Sequence, residues 1–193
     1  MKSTWWKFTD SISDANIQKI ITMGDDMGWK QSTVGGVEKI NDVDHKLRKG
    51  DIVFFHDQQW LYDLVWPYME TANEMAGWNF DIELAEEFHL TRWSEGGHYD
   101  YHVDGRGFDV YNTDNNLNGL TRKISMVIWL NDDFEGGEFE FHPTYGAETH
   151  DSLHKPVKGS ALLFPSWMVH RVKPVIRGTR YSLLTCFVGK PIR

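Results

Sequence analysis

From about Phe80 onward the chain breaks into short segments in which apolar and polar residues alternate, and this pattern narrows the fold more than any other feature. "FDIELAEEFHLTRW", "YDYHV", "KISMVIWL", "EFEFH", "GSALLF", "VHRVKP" and "TRYSLLTCFVG" each read as a strand, separated by Gly, Asn, Asp and Pro clusters. Several short strands in series must stack or close to bury one face each, which gives a sandwich or barrel. Two connections stand out. "GRGFDVYNTDNNLNGLTR", across 105–121, is long and polar and reads as a lid or a surface loop. "NDDFEGGEFEF" reads as a hairpin in which Gly136 and Gly137 turn "MVIWL" back onto "EFEF".

The first 79 residues carry a helical period instead. "SISDANIQKIITMGDDMG" opens with a Ser/Asp cap signal and repeats Ile12, Ile17, Ile20, Ile21 and Met23 before Gly24 and Gly28. A second helix is predicted from about His56 to Ala76, with Trp60, Leu61, Leu64, Val65, Tyr68, Met69 and Met75 in one stripe and Pro67 as a kink or break. The expected organisation is one domain over 1–193, in which a helical support region (1–79) packs on the main sheet of a β core (80–193).

Composition removes whole classes of function. Cys186 is the single cysteine, so no internal disulfide can form and a reducing compartment is expected. "MKSTWWKFTD" lacks the features of a targeting segment and no window approaches a membrane span, so a cytoplasmic protein with no membrane partner is expected. A net charge of −8 argues against a nucleic-acid partner, which needs a basic face. The nine tryptophans are read as packing residues. No feature of the pattern specifies an oligomeric state.

The chemistry concentrates in "GGHYDYHVDGRG". His102 and Asp104, at i and i+2 of an extended strand, project from one face and make half of a metal site. His170, in "FPSWMVHRVKPV", is the best third ligand, because the intervening chain can return a strand alongside the first. Two histidines and one carboxylate with open positions form the facial triad of non-haem Fe(II) oxygenases. A lone His-x-Asp fits a solvated strand face equally well, so the pair needs support. Arg180 supplies it: its planar guanidinium, with Ser182 at i+2 on the same face, suits the second carboxylate of a 2-oxo acid that chelates iron. The plain alternative makes Arg180 a surface cation.

Together, "LTRWSEGGHYDYHVD", "KISMVIWLNDDFEGGEFEF" and "KPVKGSALLFPSWMVHRVKPVIRGTRYSL" resemble the iron(II)- and 2-oxoglutarate-dependent dioxygenases, in the prolyl 4-hydroxylase-like branch. The resemblance spans roughly Phe80 to Val188. It implies a mainly β fold with flanking helices, a double-stranded β-helix (the cupin-like jelly roll), with N-terminal helices on the major sheet. It implies His102, Asp104 and His170 as iron ligands and Arg180 with Ser182 at the cosubstrate. Fe(II), 2-oxoglutarate and O2 are the implied cofactors, with ascorbate as a supporting reductant. Tyr99 matches an aromatic position on the substrate side of the iron, and Arg92 is assigned there with it.

Two positions depart from the branch. Trp93 stands where a Tyr commonly hydrogen-bonds 2-oxoglutarate, and an indole N–H can donate but not accept. Cys186 stands where many members have a Trp near the substrate. The implied activity is hydroxylation of an unactivated C–H bond in a prolyl residue of a protein or peptide. The alternatives are a hydroxylase of a free amino acid or other small molecule, and a non-catalytic 2-oxoglutarate- or metal-binding sensor. Alkylated-base demethylases carry a further Arg after the cosubstrate Arg, whereas "YSLLTCFVG" follows Arg180. His98 reads as a supporting or a surface residue. His142, His150 and His154, near Glu148 and Asp151, match no metal template and read as solvent-facing.

Overall fold

The computed structural model describes residues 1–33, 44–143 and 153–191. In chain order the elements are β1 (Trp6–Phe8), α1 (Asp14–Met27), β2 (Lys30–Gln31), β3 (Arg48–Lys49), β4 (Asp51–Phe55), α2 (Gln59–Met75), β5 (Leu84–Ala85), β6 (Phe88–Trp93), β7 (His98–His102) and β8 (Thr121–Trp129). There follow β9 (Glu135–Gly136), β10 (Phe139–Phe141), β11 (Leu153–His154), β12 (Ala161–Pro165), β13 (His170–Val172), β14 (Val175–Arg177) and β15 (Arg180–Gly189).

An 8-stranded major sheet runs β1-β12-β8-β15-β6-β4-β2, with β5 on β15, and a 5-stranded minor sheet runs β11-β10-β13-β7-β3. From β6 to β15 the chain passes repeatedly between the two, with β6, β8, β12 and β15 in the major sheet and β7, β10, β11 and β13 in the minor. This wiring is the double-stranded β-helix.

Both faces of the major sheet are covered. On one, Ile17 and Ile20 of α1 and Leu61, Val65, Met69 and Ala72 of α2 share a cluster with Phe88, Leu90, Ile124, Met126, Ile128, Leu163 and Leu183. On the other, Val127, Trp129, Leu162 and Phe164 meet Phe139, Phe141 and Val172 of the minor sheet. Burial on two faces explains why "KISMVIWL" and "ALLF" are nearly continuous apolar runs.

The helices depart from expectation in detail. The Ser13 side chain accepts from the Asn16 N–H and caps α1, whose interior includes Gly24. A Cβ at Gly24 would meet Leu90 Cδ2 at 2.2 Å, so the glycine lets α1 approach β6 closely. α2 begins at Gln59 rather than His56, because β4 runs to Phe55 and Asp57 takes a positive φ of 53°. Pro67 neither ends nor splits α2. No helix among the described residues is long and apolar enough to cross a membrane.

Three strand readings change. The described residues of the first 79 hold four strands as well as two helices: β1 pairs β12, β2 pairs β4, β4 pairs β6 along Asp51–Phe55, and β3 pairs β7. "FDIELAEEFHLTRW" divides into β5 and β6, because Glu86 between them is buried and takes a bidentate contact from Arg122. "NDDFEGGEFEF" is not a hairpin. β8 pairs β12 and β15, whereas β10 pairs β11 and β13, so the glycines carry the chain from one sheet to the other.

Gly136 and Gly137 have φ of 75° and 64°, and a Cβ at Gly136 would meet the Pro174 carbonyl oxygen at 2.4 Å. Gly136→Ala is therefore expected to cost about 2–3 kcal/mol, from left-handed strain plus backbone contact, read as a lower urea midpoint at unchanged m-value.

Candidate active site

The β7–β13 pairing sets His102 directly opposite His170. Asp104 follows β7. Its N–H donates to Ser166 O at 3.0 Å, and its carbonyl accepts from Arg122 Nη1 at 2.8 Å. Backbone anchoring on both sides leaves the carboxylate facing the imidazoles, with Oδ1 3.6 Å from His102 Nε2 and Oδ2 3.6 Å from His170 Nε2. One ligand atom from each residue lies within 4.8 Å of the others.

The two histidines are held alike. His102 Nδ1 lies 2.8 Å from Asp100 O, and His170 Nδ1 lies 2.8 Å from Met168 O. A carbonyl only accepts, so Nδ1 carries the hydrogen and Nε2 presents a lone pair to the cluster, the usual arrangement of a metal-binding imidazole. Burial pushes His170 down to about 4, so the ring is neutral. Burial alone would raise Asp104, but His170, His102 and the Ser125 hydroxyl outweigh it and hold the carboxyl well below its ordinary range. Asp104 Oδ2 is enclosed with no hydrogen-bond partner among the described residues. Two inward-facing imidazole nitrogens and an enclosed carboxylate oxygen with no partner among the described residues fit a divalent cation.

These residues open on a cavity of about 350 Å³ whose other wall is the major sheet. Arg180 there is 1% exposed; Nη1 donates to Ser182 Oγ at 2.9 Å, while Nε and Nη2 are buried with no partner among the described residues. Burial brings the guanidinium down to about 9. Spare enclosed donors on a cation suit a carboxylate. Ser182 Oγ is 2.8 Å from Thr91 Oγ1, which accepts from Trp93 Nε1 at 3.1 Å. The Trp93 indole thus lines the cavity with its N–H directed to Thr91. Thr91 was legible in principle, because it shares a strand face with Trp93.

Tyr99 lies flat on His102, with ring centroids 3.5 Å apart and planes 11° from parallel. Cys186 lines the same cavity; its thiol, 3.6 Å from Ser125 Oγ, is pushed up by burial. Arg92 is not at the cavity. Strand alternation turns it to the opposite face of β6 from Thr91 and Trp93, where it binds Asp51 at 2.8 Å and lies 4.4 Å from the Trp29 ring. The substrate-side assignment of Arg92 is corrected accordingly.

His98 lies outside the cavity, its ring nitrogens 3.0 and 3.1 Å from the carbonyls of Gly96 and Lys46. His154 is not solvent-facing: it is buried beside Trp5, Phe139 and Phe141. His142 is half-buried against Tyr101. His150, Glu148 and Asp151 lie outside the described residues. The 105–121 connection is tied at its stem, where Tyr111 Oη donates to Glu86 Oε1 at 2.6 Å; Phe108 and Val110 are exposed.

Sequence reasoning also missed Arg48, Arg122, Glu86 and His89. His89, half-buried on the cavity wall, is pushed down to about 3 by burial and by Arg122 and Arg48. Its folded value lies below the unfolded one near 6.5, so the unfolded chain binds the proton first. The stability this contributes is complete above about pH 6.5 and is lost as pH falls toward 3. Between pH 7 and 4, urea unfolding of the parent is expected to lose more stability than His89→Phe, by on the order of 1–2 kcal/mol.

Fold and site together give a double-stranded β-helix carrying a His-Asp-His cluster that could hold a metal ion. The family model described as the 2OG-Fe(II) oxygenase superfamily matches residues 88–188, just over half of the chain, and the chain belongs to that superfamily. A PKHD-type hydroxylase of Delftia acidovorans is 34% identical over 95 residues, covering 48% of this chain and 39% of that protein. The match thus spans about two fifths of the length of such relatives. Among solved structures, the viral collagen prolyl hydroxylase of Paramecium bursaria Chlorella virus-1, as its 2-oxoglutarate complex, has TM-score 0.68 at 18% identity and covers 96% of each chain. A Trichoplax adhaerens prolyl hydroxylase in complex with a hypoxia-inducible-factor peptide fragment has TM-score 0.71 at 17% identity, covering 95% of this chain and 83% of that one. At these identities the structural likeness is one of fold.

Proposed function

We propose that the chain is an Fe(II)- and 2-oxoglutarate-dependent dioxygenase that hydroxylates an unactivated C–H bond, with a prolyl residue of a protein or peptide as substrate. One observation carries the reading: His102, Asp104 and His170 open on the same cavity as a buried Arg180 with two donors unpartnered among the described residues. The prolyl substrate is supported by the names of the relatives and solved structures that this chain is similar to.

His102, Asp104 and His170 would hold the iron, and Arg180 with Ser182 would hold the distal carboxylate of 2-oxoglutarate. When bound, iron and 2-oxoglutarate supply the oxidising chemistry, in which O2 and the oxo acid become succinate, CO2 and the oxygen atom inserted into the C–H bond. The protein holds and shields. The Nδ1 hydrogen bonds and the flat Tyr99 fix the imidazoles, Arg122 fixes the Asp104 backbone, and Val127, Phe139, Val172 and Leu184 keep the wall apolar.

The test is anaerobic titration with Fe(II) and then 2-oxoglutarate, followed by O2-dependent succinate assays with proline-containing peptides. A weak visible charge-transfer band that His170→Ala abolishes, and peptide-stimulated succinate, are expected. Folded protein that binds neither ligand by calorimetry would overturn the proposal, and ligand binding with no turnover on any substrate would make the chain a sensor.

A further inference from the structure

Among the described residues, Arg48 is a cation of the cavity wall with no salt-bridge partner of its own: the nearby Asp104 carboxylate favours its charge, but the reading above gives that carboxylate to the metal. It enters from β3, a strand of the minor sheet outside the matched family segment. Its guanidinium lies 4.8 Å from the Tyr99 ring and 5.6 Å from the Trp93 ring. Tyr99 stacks on His102, so Arg48 stands one aromatic ring away from the metal cluster. Among the described residues, Nη1 donates to Thr33 O at 3.2 Å and Nε is enclosed with no partner.

A charge count of the cavity wall isolates it. Arg122 is matched by Glu86. His102 and His170, which would hold the metal, add no charge, because imidazoles bind metal in the neutral form, and burial with Arg122 and Arg48 keeps His89 neutral. A ferrous ion adds two positive charges and 2-oxoglutarate adds two negative ones, so Asp104 and Arg180 cancel within the loaded centre. The charge on Arg48 is left over. An aromatic-lined, partly desolvated guanidinium with a spare enclosed donor is costly beside a neutral ligand and favourable beside a carboxylate.

We infer that Arg48 is a specificity-determining residue that receives a carboxylate of the substrate, an inference that rests on the hydroxylase reading. Two sources share this chemistry: the terminal carboxylate of a free or N-acylated amino acid, and an acidic side chain beside the hydroxylated residue. A substrate bound this way is anchored next to Tyr99, and its reacting carbon is presented to the metal side of the cavity.

The test measures binding to the Fe(II)- and 2-oxoglutarate-loaded protein under argon, by tryptophan fluorescence. The first probe pair is N-acetylproline and N-acetylprolinamide. The second is amide-capped N-acetylprolylglutamate and its glutamine analogue, and the third is N-acetylleucine and its amide. In at least one pair the carboxylate member is expected to bind about tenfold more tightly than its neutral partner. Arg48→Gln should reduce that preference to about twofold or less, with Arg48→Lys retaining part of it and 2-oxoglutarate affinity holding in both.

The first pair reports a terminal carboxylate and the second an acidic side chain. A preference seen only with the leucine pair, and lost in Arg48→Gln, would uphold the inference while overturning the prolyl substrate. No carboxylate preference in any pair, through equal binding or none, would overturn it, as would a preference that survives Arg48→Gln. A parallel loss of 2-oxoglutarate affinity would assign Arg48 to the cosubstrate instead.

Discussion

Asp104→Ala is expected to lower Fe(II)-dependent succinate formation by at least about 10³-fold. The residue would be the one anionic protein donor to the metal, and the two imidazoles left behind offer no charge to hold a hard dication. The apo protein should stay folded at a modest cost: His170, His102 and the Ser125 hydroxyl favour the ionised carboxylate, but Oδ2 has no hydrogen-bond partner among the described residues and the backbone contacts to Ser166 and Arg122 do not involve the carboxylate. A two-part measurement follows: apo Tm within a few degrees of the parent, and no rise in Tm on anaerobic addition of Fe(II), where the parent shows one. Metal-dependent stabilisation that persists in the variant would remove Asp104 from the ligand set.

Arg180→Met separates stability from cosubstrate binding with opposite signs. A nearly isosteric apolar side chain removes a buried cation whose Nε and Nη2 have no partner among the described residues, so the apo protein is expected to gain about 1 kcal/mol or hold its stability. The same change should weaken 2-oxoglutarate by about 100-fold, because the distal carboxylate loses a charged donor in an enclosed site. Calorimetry with 2-oxobutyrate, which lacks that carboxylate, completes the argument. The parent should discriminate strongly between the two oxo acids and the variant hardly at all. Equal discrimination in both proteins would place the distal carboxylate elsewhere.

The parts of this site that the sequence exposed are those that obey strand parity. Arg180 and Ser182, two apart on β15, report a shared face directly, and His102 and Asp104 keep the same spacing although Asp104 lies just past β7, anchored by Ser166. The same rule places Arg92 away from Thr91 and Trp93, so its assignment to the substrate side came from proximity in sequence rather than from the pleat. The glycine pair at 136–137 was read as a local turn because a turn's composition does not say which sheet the next strand joins. β3 and β4 went unseen beside the helical signals, since β3 has two residues and β4 pairs with β6, far along the chain. Arg48 is invisible for the same reason: nothing local marks a cation that a short edge strand carries into a distant cavity.

The placement of anchors on separate sheets has a consequence for cosubstrate length. His102 and His170 sit on β7 and β13 of one sheet, whereas Arg180, Ser182 and Thr91 sit on β15 and β6 of the other. Packed sheets stand roughly 10 Å apart, a gap set by side chains such as Phe139, Phe164 and Trp129 that fill it. With the cosubstrate bound as proposed, the sandwich would work as a caliper on the carbon chain between the two carboxylates. Trimming those spacer side chains, with every polar contact left in place, should shift its setting among dicarboxylic oxo acids of different length.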